Sequence, residues 1–237
     1  MSKSDIAGQT LTILSGLVVR GAFDSAIVPG FQAATGCTVA VDWVPTTLIM
    51  QQVPGGQRAD ILIVTRAAMD QLVALGLMDA ASRIELVHSR IGLAVPAGAP
   101  HPDITTPERF SSALQTARSV AYSRAGASGI HFETVLDKLG ISEAVRSKAT
   151  VIPAGFTAEK LVSGEADMAV QQVSELLVVP GIEVVGRFPE DLQTVSSFSA
   201  AVMRDAPQPE AAKQFLASLT TPEAVKVYLA TGVDPAF

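Results

Sequence analysis

Three arginines stand where predicted strands give way to helices or loops: Arg20 after the first strand, Arg66 at the end of the third, and Arg124 in a loop of small residues. A guanidinium is a planar fork of donors that matches a carboxylate bidentately, so arginines in these places point to a carboxylate ligand. The competing reading puts each on a solvated helix face or against a neighbouring acid. Ser15 shares the first turn with Arg20 and adds a hydroxyl. The strongest candidate for an anion cradle is Ser123-Arg124-Ala125-Gly126-Ala127-Ser128-Gly129. A glycine-containing turn ahead of a helix brings backbone N–H groups and the positive end of the helix dipole to one place. Ser123, Ser128 and the N–H groups of Gly126 to Gly129 are the donors. A plain turn and helix cap would carry the same residues.

Gln171 and Gln172 follow an apolar strand, where an amide can donate to ligand oxygens. Adjacent strand residues point to opposite faces, so one of them faces the ligand, and Gln172 is taken. His131 sits one turn into the helix after the cradle. If the protein is an enzyme it is the candidate acid or base, since imidazole titrates near neutrality; otherwise it is a structural helix residue. His88 and His101 fall in predicted connections without metal-ligand spacing, and the acids scatter singly, so no metal is expected. No nucleophile elbow, phosphate loop or dinucleotide fingerprint is present, and no cofactor is expected.

The chain has 237 residues, 48% hydrophobic and 17% charged, a globular composition with enough apolar residues for a sizeable core. Its net charge of -6 offers no basic field, which excludes nucleic acid as a partner. Cys37, the only cysteine, has no partner for an internal disulfide or a zinc site and reads as a small buried apolar residue. No apolar run approaches the ~20 residues of a membrane span. A secretory signal needs a basic stretch followed by an apolar one, whereas Met1 to Thr10 is polar and runs into the first strand. The expectation is a cytoplasmic protein if Met1 is the native start, and a periplasmic or extracellular one if a leader has been removed.

Apolar runs at Leu11 to Leu14, Thr38 to Trp43, Ala59 to Val64, Ile91 to Val95, Ser119 to Tyr122, Val151 to Pro153, Met168 to Gln171, Glu183 to Gly186 and Phe198 to Met203 predict strands. Helices are predicted over Val19 to Ile27, from Thr46 or Thr47 through Gln52, over Ala67 to Leu75, from a Thr106 cap to Thr116, from Ile130 to a stop at Gly140, over Thr157 to Ser163, and over Pro209 to Leu219 and Pro222 to Thr231. Strands alternating with helices imply an α/β fold with mostly parallel sheets covered on both faces, with ligands outside the carboxyl ends of the strands.

Four stretches resemble the molybdate-type branch of the type II periplasmic solute-binding proteins. They are Leu14-Ser15 through Arg20-Gly21-Ala22-Phe23, Gly56-Gln57-Arg58-Ala59-Asp60-Ile61-Leu62-Ile63, Gly126-Ala127-Ser128-Gly129-Ile130-His131-Phe132, and Val170-Gln171-Gln172-Val173-Ser174-Glu175. The resemblance implies two α/β lobes joined by two crossing strands that close on a ligand by a hinge. The first lobe would be residues 1–90 with 196–237, the second 91–195. Molybdate binders hold their oxyanion with hydroxyls and N–H groups, including a serine in the first strand-to-helix turn and a tyrosine after the late strand. Here those places fall at Val18 and Gln172, while Thr46 or Thr47 and Ser128 keep the polar type. The departure implies a divergent branch that takes a small anion other than molybdate.

Two functions are expected on this scaffold. The first is a binding protein that captures a small organic anion, a di- or tricarboxylate, with a transporter permease as partner. The second is a cofactor-independent isomerase of a tricarboxylate, similar to aconitate isomerase, working by allylic proton transfer with His131 as base.

Overall fold

The structure is a computed structural model and describes residues 5–237; Met1, on which the expected compartment turns, lies outside the described residues. The chain forms two compact units, one of the residues up to His88 together with Ser197–Phe237, the other of Ser89–Ser196.

Among the described residues there are ten strands: β1 (Thr10–Ser15), β2 (Thr38–Trp43), β3 (Ile61–Thr65), β4 (Ile84–Pro96), β5 (Val120–Ser123), β6 (Thr150–Ile152), β7 (Met168–Gln172), β8 (Ile182–Arg187), β9 (Val195–Val202) and β10 (Asp234–Pro235). The chain leaves the first unit within β4 and returns to it within β9.

In the first unit β1 lies between β2 and β3, parallel to both, and β9 runs antiparallel to β3. Apolar side chains cover both faces of this sheet, which is why its strands read as nearly continuous hydrophobic runs. On one face Leu11, Ile13, Ile61 and Ile63 meet Phe23, Phe31 and Phe215; on the other Leu14, Leu62 and Val64 meet Ile49, Met69 and Leu72. The first face is knitted by edge-to-face aromatic pairs, Phe31 with Phe215 at 5.0 Å and Phe23 with Phe215 at 5.7 Å. The helical stretch from Arg20 to Thr35 widens to a π turn over Phe23–Ile27, just ahead of Pro29. Proline has no N–H to give the preceding turn, and a wider turn relieves the clash of its ring.

Tyr228 is fully buried in this core and its hydroxyl has no hydrogen-bond partner. Tyr228→Phe removes an unpaired polar atom and no bond, so it is expected to stabilise the protein by about 1 kcal/mol, read as a raised urea midpoint. A lowered midpoint would mean that the hydroxyl is bonded in solution.

In the second unit β4 pairs antiparallel with β7 and with β8, and β5 lies parallel to both β6 and β7. Phe110, Phe132 and Phe188 centre its core, with Ile91, Leu93, Val120 and Val170 supplied by the sheet.

The structure departs from expectation in a few places. The strand expected from Ile91 begins at Ile84, because Glu85, His88 and Arg90 interrupt the apolar run that would have announced it. The helix expected from Ile130 begins at Ala127, and the one expected over Thr157 to Ser163 shrinks to Glu159–Val162. A helix over Ser142–Arg146 was not expected. The Thr106 cap is as expected, its side chain accepting from the Arg109 N–H.

Candidate functional site

Two clusters of polar groups form at the carboxyl ends of strands, one in each unit. In the first unit Ser15 closes β1, Thr65 closes β3, and the helix Thr46–Gln52 begins beside them. The Thr46 hydroxyl oxygen accepts from the Thr65 N–H at 3.4 Å, and a Cβ placed on Gly16 would lie 3.9 Å from it. Ser15, Thr46, Thr65 and Arg66 are therefore neighbours, with Thr47 next along the helix. The Ser15 hydroxyl is fully buried and donates to the Gly16 carbonyl at 2.9 Å, so its proton is already used. Arg66 is exposed, its Nε 4.0 Å from Glu85 Oε2. Arg20 Nε pairs with Asp24 Oδ2 at 3.2 Å, and the guanidinium lies 5.6 Å from the Trp43 ring centroid. The reading that pairs Arg20 with a neighbouring acid is the one found.

In the second unit β5 ends at Ser123, whose hydroxyl oxygen accepts from the Gly126 N–H at 3.0 Å and shapes the turn. Gly126 caps the 13-residue helix Ala127–Leu139, whose first-turn N–H groups have no acceptor within the helix. Ser128 and Gly129 lie in that turn and are buried. A Cβ on Gly129 would stand 1.7 Å from the Ser123 carbonyl oxygen, so only glycine lets the helix start this close to the strand. That contact explains why residues with loop-like composition are helical here. Arg124 is exposed, and its N–H donates to the Ile152 carbonyl at 2.9 Å.

The register Ala121 to Ala169 sets the carboxyl ends of β5 and β7 side by side. Gln171 and Gln172 do face opposite ways. Gln171 is bound to Thr157 and Gly155, whereas Gln172 Nε2 donates to Ser196 Oγ at 2.9 Å and leaves its buried Oε1 without a partner. The hydroxyls of Ser89 and Ser174, both also buried, lack partners too. His131 Nε2 stands 2.8 Å from the Leu192 carbonyl oxygen; a carbonyl only accepts, so Nε2 carries the proton and only Nδ1 keeps a lone pair. That bond fastens the cradle helix to the segment leading into Ser196.

Glu175 was missed by sequence reading, although it lies within a motif that was singled out. Buried one turn beyond Gln172, its carboxyl is pushed up to about 8 by loss of water, against the pull of hydrogen bonds from the Gln171 side chain and the Gln172 N–H. Among the described residues no three His, Cys, Asp or Glu side chains gather as a metal site would require, and no helix is long and apolar enough to cross a membrane.

Comparison with known proteins extends over nearly the whole chain. Residues 11–234 match the family model of the bacterial extracellular solute-binding proteins. The chain is 34% identical over 232 residues to aconitate isomerase of a Pseudomonas species, covering 95% of this chain and 88% of that protein. It is 30% identical over 94 residues to the molybdate-binding protein ModA of Mycobacterium bovis, 40% of this chain and 31% of that one. Among solved structures it is similar to the periplasmic molybdate-binding protein of Azotobacter vinelandii, with a TM-score of 0.79 at 17% identity over 94% of this chain and 98% of that one. The sulfate-binding protein SubI of Mycobacterium tuberculosis gives 0.75 at 17% identity, over 96% of this chain and 87% of that one. At such identities these likenesses speak for the fold alone. With two α/β units and polar clusters at the carboxyl ends of their strands, the chain belongs to the bacterial extracellular solute-binding protein family, on the type II, molybdate-type fold.

Proposed function

We propose that this protein binds a small organic polycarboxylate, for which the second unit offers Ser128, the N–H groups of Ala127 to Gly129 and Gln172 as donors, and the first unit, taken by itself, offers Thr46, Thr47 and Arg66. The observation that carries the reading is the buried, unpartnered amide oxygen of Gln172 beside a helix N-terminus that offers free N–H groups. A buried polar atom without a partner costs about 1–3 kcal/mol, a cost that a ligand hydroxyl or a turned amide facing a ligand carboxylate would remove. Two exposed apolar side chains favour an organic ligand over a bare oxyanion: Ile130, in the first helical turn, and Val195, next to Ser196, are each 47% exposed. Family membership implies a transporter permease as partner. The hinge closure expected of the fold is part of the same proposal.

The second reading, interconversion of aconitate isomers, is favoured by the similarity to aconitate isomerase along 95% of the chain. In that reaction an allylic proton leaves one carbon and a proton returns to another across the shifted double bond, with no change of oxidation state and no cofactor.

A thermal-shift series with citrate, both aconitate isomers, tricarballylate, molybdate and sulfate tests the ligand class, since a ligand that prefers the folded state raises its stability. A rise with the tricarboxylates and none with the two inorganic ions is expected; the reverse ends the proposal. Ser128→Ala is expected to weaken the bound acid by about 1–3 kcal/mol by calorimetry, and unchanged affinity would show the cradle to be misplaced. Ultraviolet absorbance of each aconitate isomer at high protein concentration separates the readings, because binding alone leaves the isomer ratio untouched.

A further inference from the structure

Ser89 is 1% exposed and its hydroxyl has no hydrogen-bond partner; the amide oxygen of Gln172, also 1% exposed, is in the same condition. The strand registers bring the two together. β4 lies between β9 and β7. It runs antiparallel to β7, and Ile91 opposite Gln172 is the last pair before β7 ends, so those two side chains stand on one face of the sheet. Successive strand residues alternate between faces, which puts Ser89 on that face too, two residues from Ile91 and just past the carboxyl end of β7. At Gln172 the chain turns into a short helix, so the register places Ser89 but not Ser174, the other buried serine without a partner.

The other side of β4 agrees. His88 Nδ1 stands 3.0 Å from Ser197 Oγ, so these side chains share the opposite face, and their neighbours Ser89 and Ser196 share this one. Gln172 Nε2 donates to Ser196 Oγ at 2.9 Å. Gln172 is on β7 and Ser196 on β9, one strand to each side of β4 and about 9–10 Å apart at the usual strand spacing. The amide therefore lies across β4, on the face where Ile91 and Ser89 stand. The Ser89 hydroxyl, the Gln172 amide and the Ser196 hydroxyl form one group, and all three belong to the second unit. In sheets of this kind ligands sit outside the carboxyl ends of the strands. Ser89 stands at that end of β7, and the helix Ala127–Leu139, with its free first-turn N–H groups, begins at the same end of the adjacent β5.

We propose that Ser89 is a further ligand-binding residue, whose hydroxyl donates to a carboxylate oxygen of the bound acid beside the Gln172 amide. The role rests on the polycarboxylate reading above. A hydroxyl gives or accepts, and against an ionised carboxylate it gives. The bond is then charge-assisted, and it satisfies a group that the protein by itself leaves without a partner. A serine kept for the fold shows the opposite pattern, bonded within the protein.

The test is calorimetric titration of the full chain with citrate, trans-aconitate and tricarballylate at neutral pH, paired with urea unfolding of the ligand-free protein. Ser89→Ala should weaken each acid that the wild type binds by about tenfold to a hundredfold, the loss of a hydrogen bond to a charged group. It should leave the urea midpoint unchanged or raised, since it removes a buried atom that has no partner. Ser89→Cys fills the same space with a poor donor, so its affinity should fall nearly as far. Wild-type affinity in the alanine variant would show that the hydroxyl makes no contact, and in the cysteine variant that space rather than a bond is what counts; either overturns the proposal. A lowered midpoint for Ser89→Ala also overturns it, because the hydroxyl would then be bonded inside the protein. Those outcomes leave the polycarboxylate reading standing, whereas failure of the wild type to bind any of the three acids removes that reading and the proposal with it.

Discussion

Gly129→Ala is expected to destabilise the second unit by about 3 kcal/mol, the upper end of what overfilling a well-packed site costs, because nothing here has room to yield. The added methyl would meet the Ser123 carbonyl oxygen at 1.7 Å and its carbonyl carbon at 2.8 Å. Both are backbone atoms, so no side chain can rotate to make room. Either the helix Ala127–Leu139 backs away from β5 or the end of β5 shifts, and both break the bond from the Gly126 N–H to Ser123. A convenient probe exists because the single tryptophan, Trp43, reports on the first unit. In urea the circular dichroism of the variant should begin to fall while Trp43 fluorescence still reads native. Ile130→Ala, one residue on and exposed, serves as the control and should change stability by less than about 0.5 kcal/mol. If Gly129→Ala unfolds within about 1 kcal/mol of wild type, the helix does not start where the structure puts it.

That contact marks where the sequence stopped being readable. Strands buried on both faces, such as β3 with its Ile61-Leu62-Ile63-Val64, announce themselves as apolar runs whatever covers them. The stop at Gly140 and the cap at Thr106 depend on one or two residues and were equally plain. The start of the cradle helix was not, because small residues signal a loop unless a carbonyl from another segment is known to lie against them. The same holds in the site. Cradle residues sit close together in sequence and were found as a group, but the partners of Gln171 lie 14 and 16 residues away, and nothing in a linear pattern announces them. Arg20 shows the converse: Asp24 stands one helical turn on, a spacing visible from the start, whereas the Trp43 ring arrives from another strand.

Asp60 carries the second large effect and has nothing to do with ligand. The sequence offered it only as one letter of the motif Arg58-Ala59-Asp60-Ile61; in the fold it is a fully buried carboxylate that ties three segments together. Its Oδ2 accepts from the Thr12 N–H at 2.7 Å and the Thr12 hydroxyl at 2.8 Å, and its Oδ1 accepts from the Gln208 N–H just ahead of the helix Pro209–Ser218. Among the described residues no cation pairs with it; two backbone N–H groups and one hydroxyl hold the carboxyl group, as in an anion site turned inward. Asp60→Ala leaves two part-buried N–H groups without acceptors and is expected to cost about 3 kcal/mol. Asp60→Asn keeps the shape but sets its amide hydrogens against one of those N–H groups, and should cost about 2 kcal/mol. Here the order of the probes reverses: Trp43 fluorescence should change at lower urea than the circular dichroism of the second unit. An alanine variant within about 1 kcal/mol of wild type would mean that water replaces the carboxylate there, and that the junction of β1, β3 and the helix Pro209–Ser218 is open to solvent.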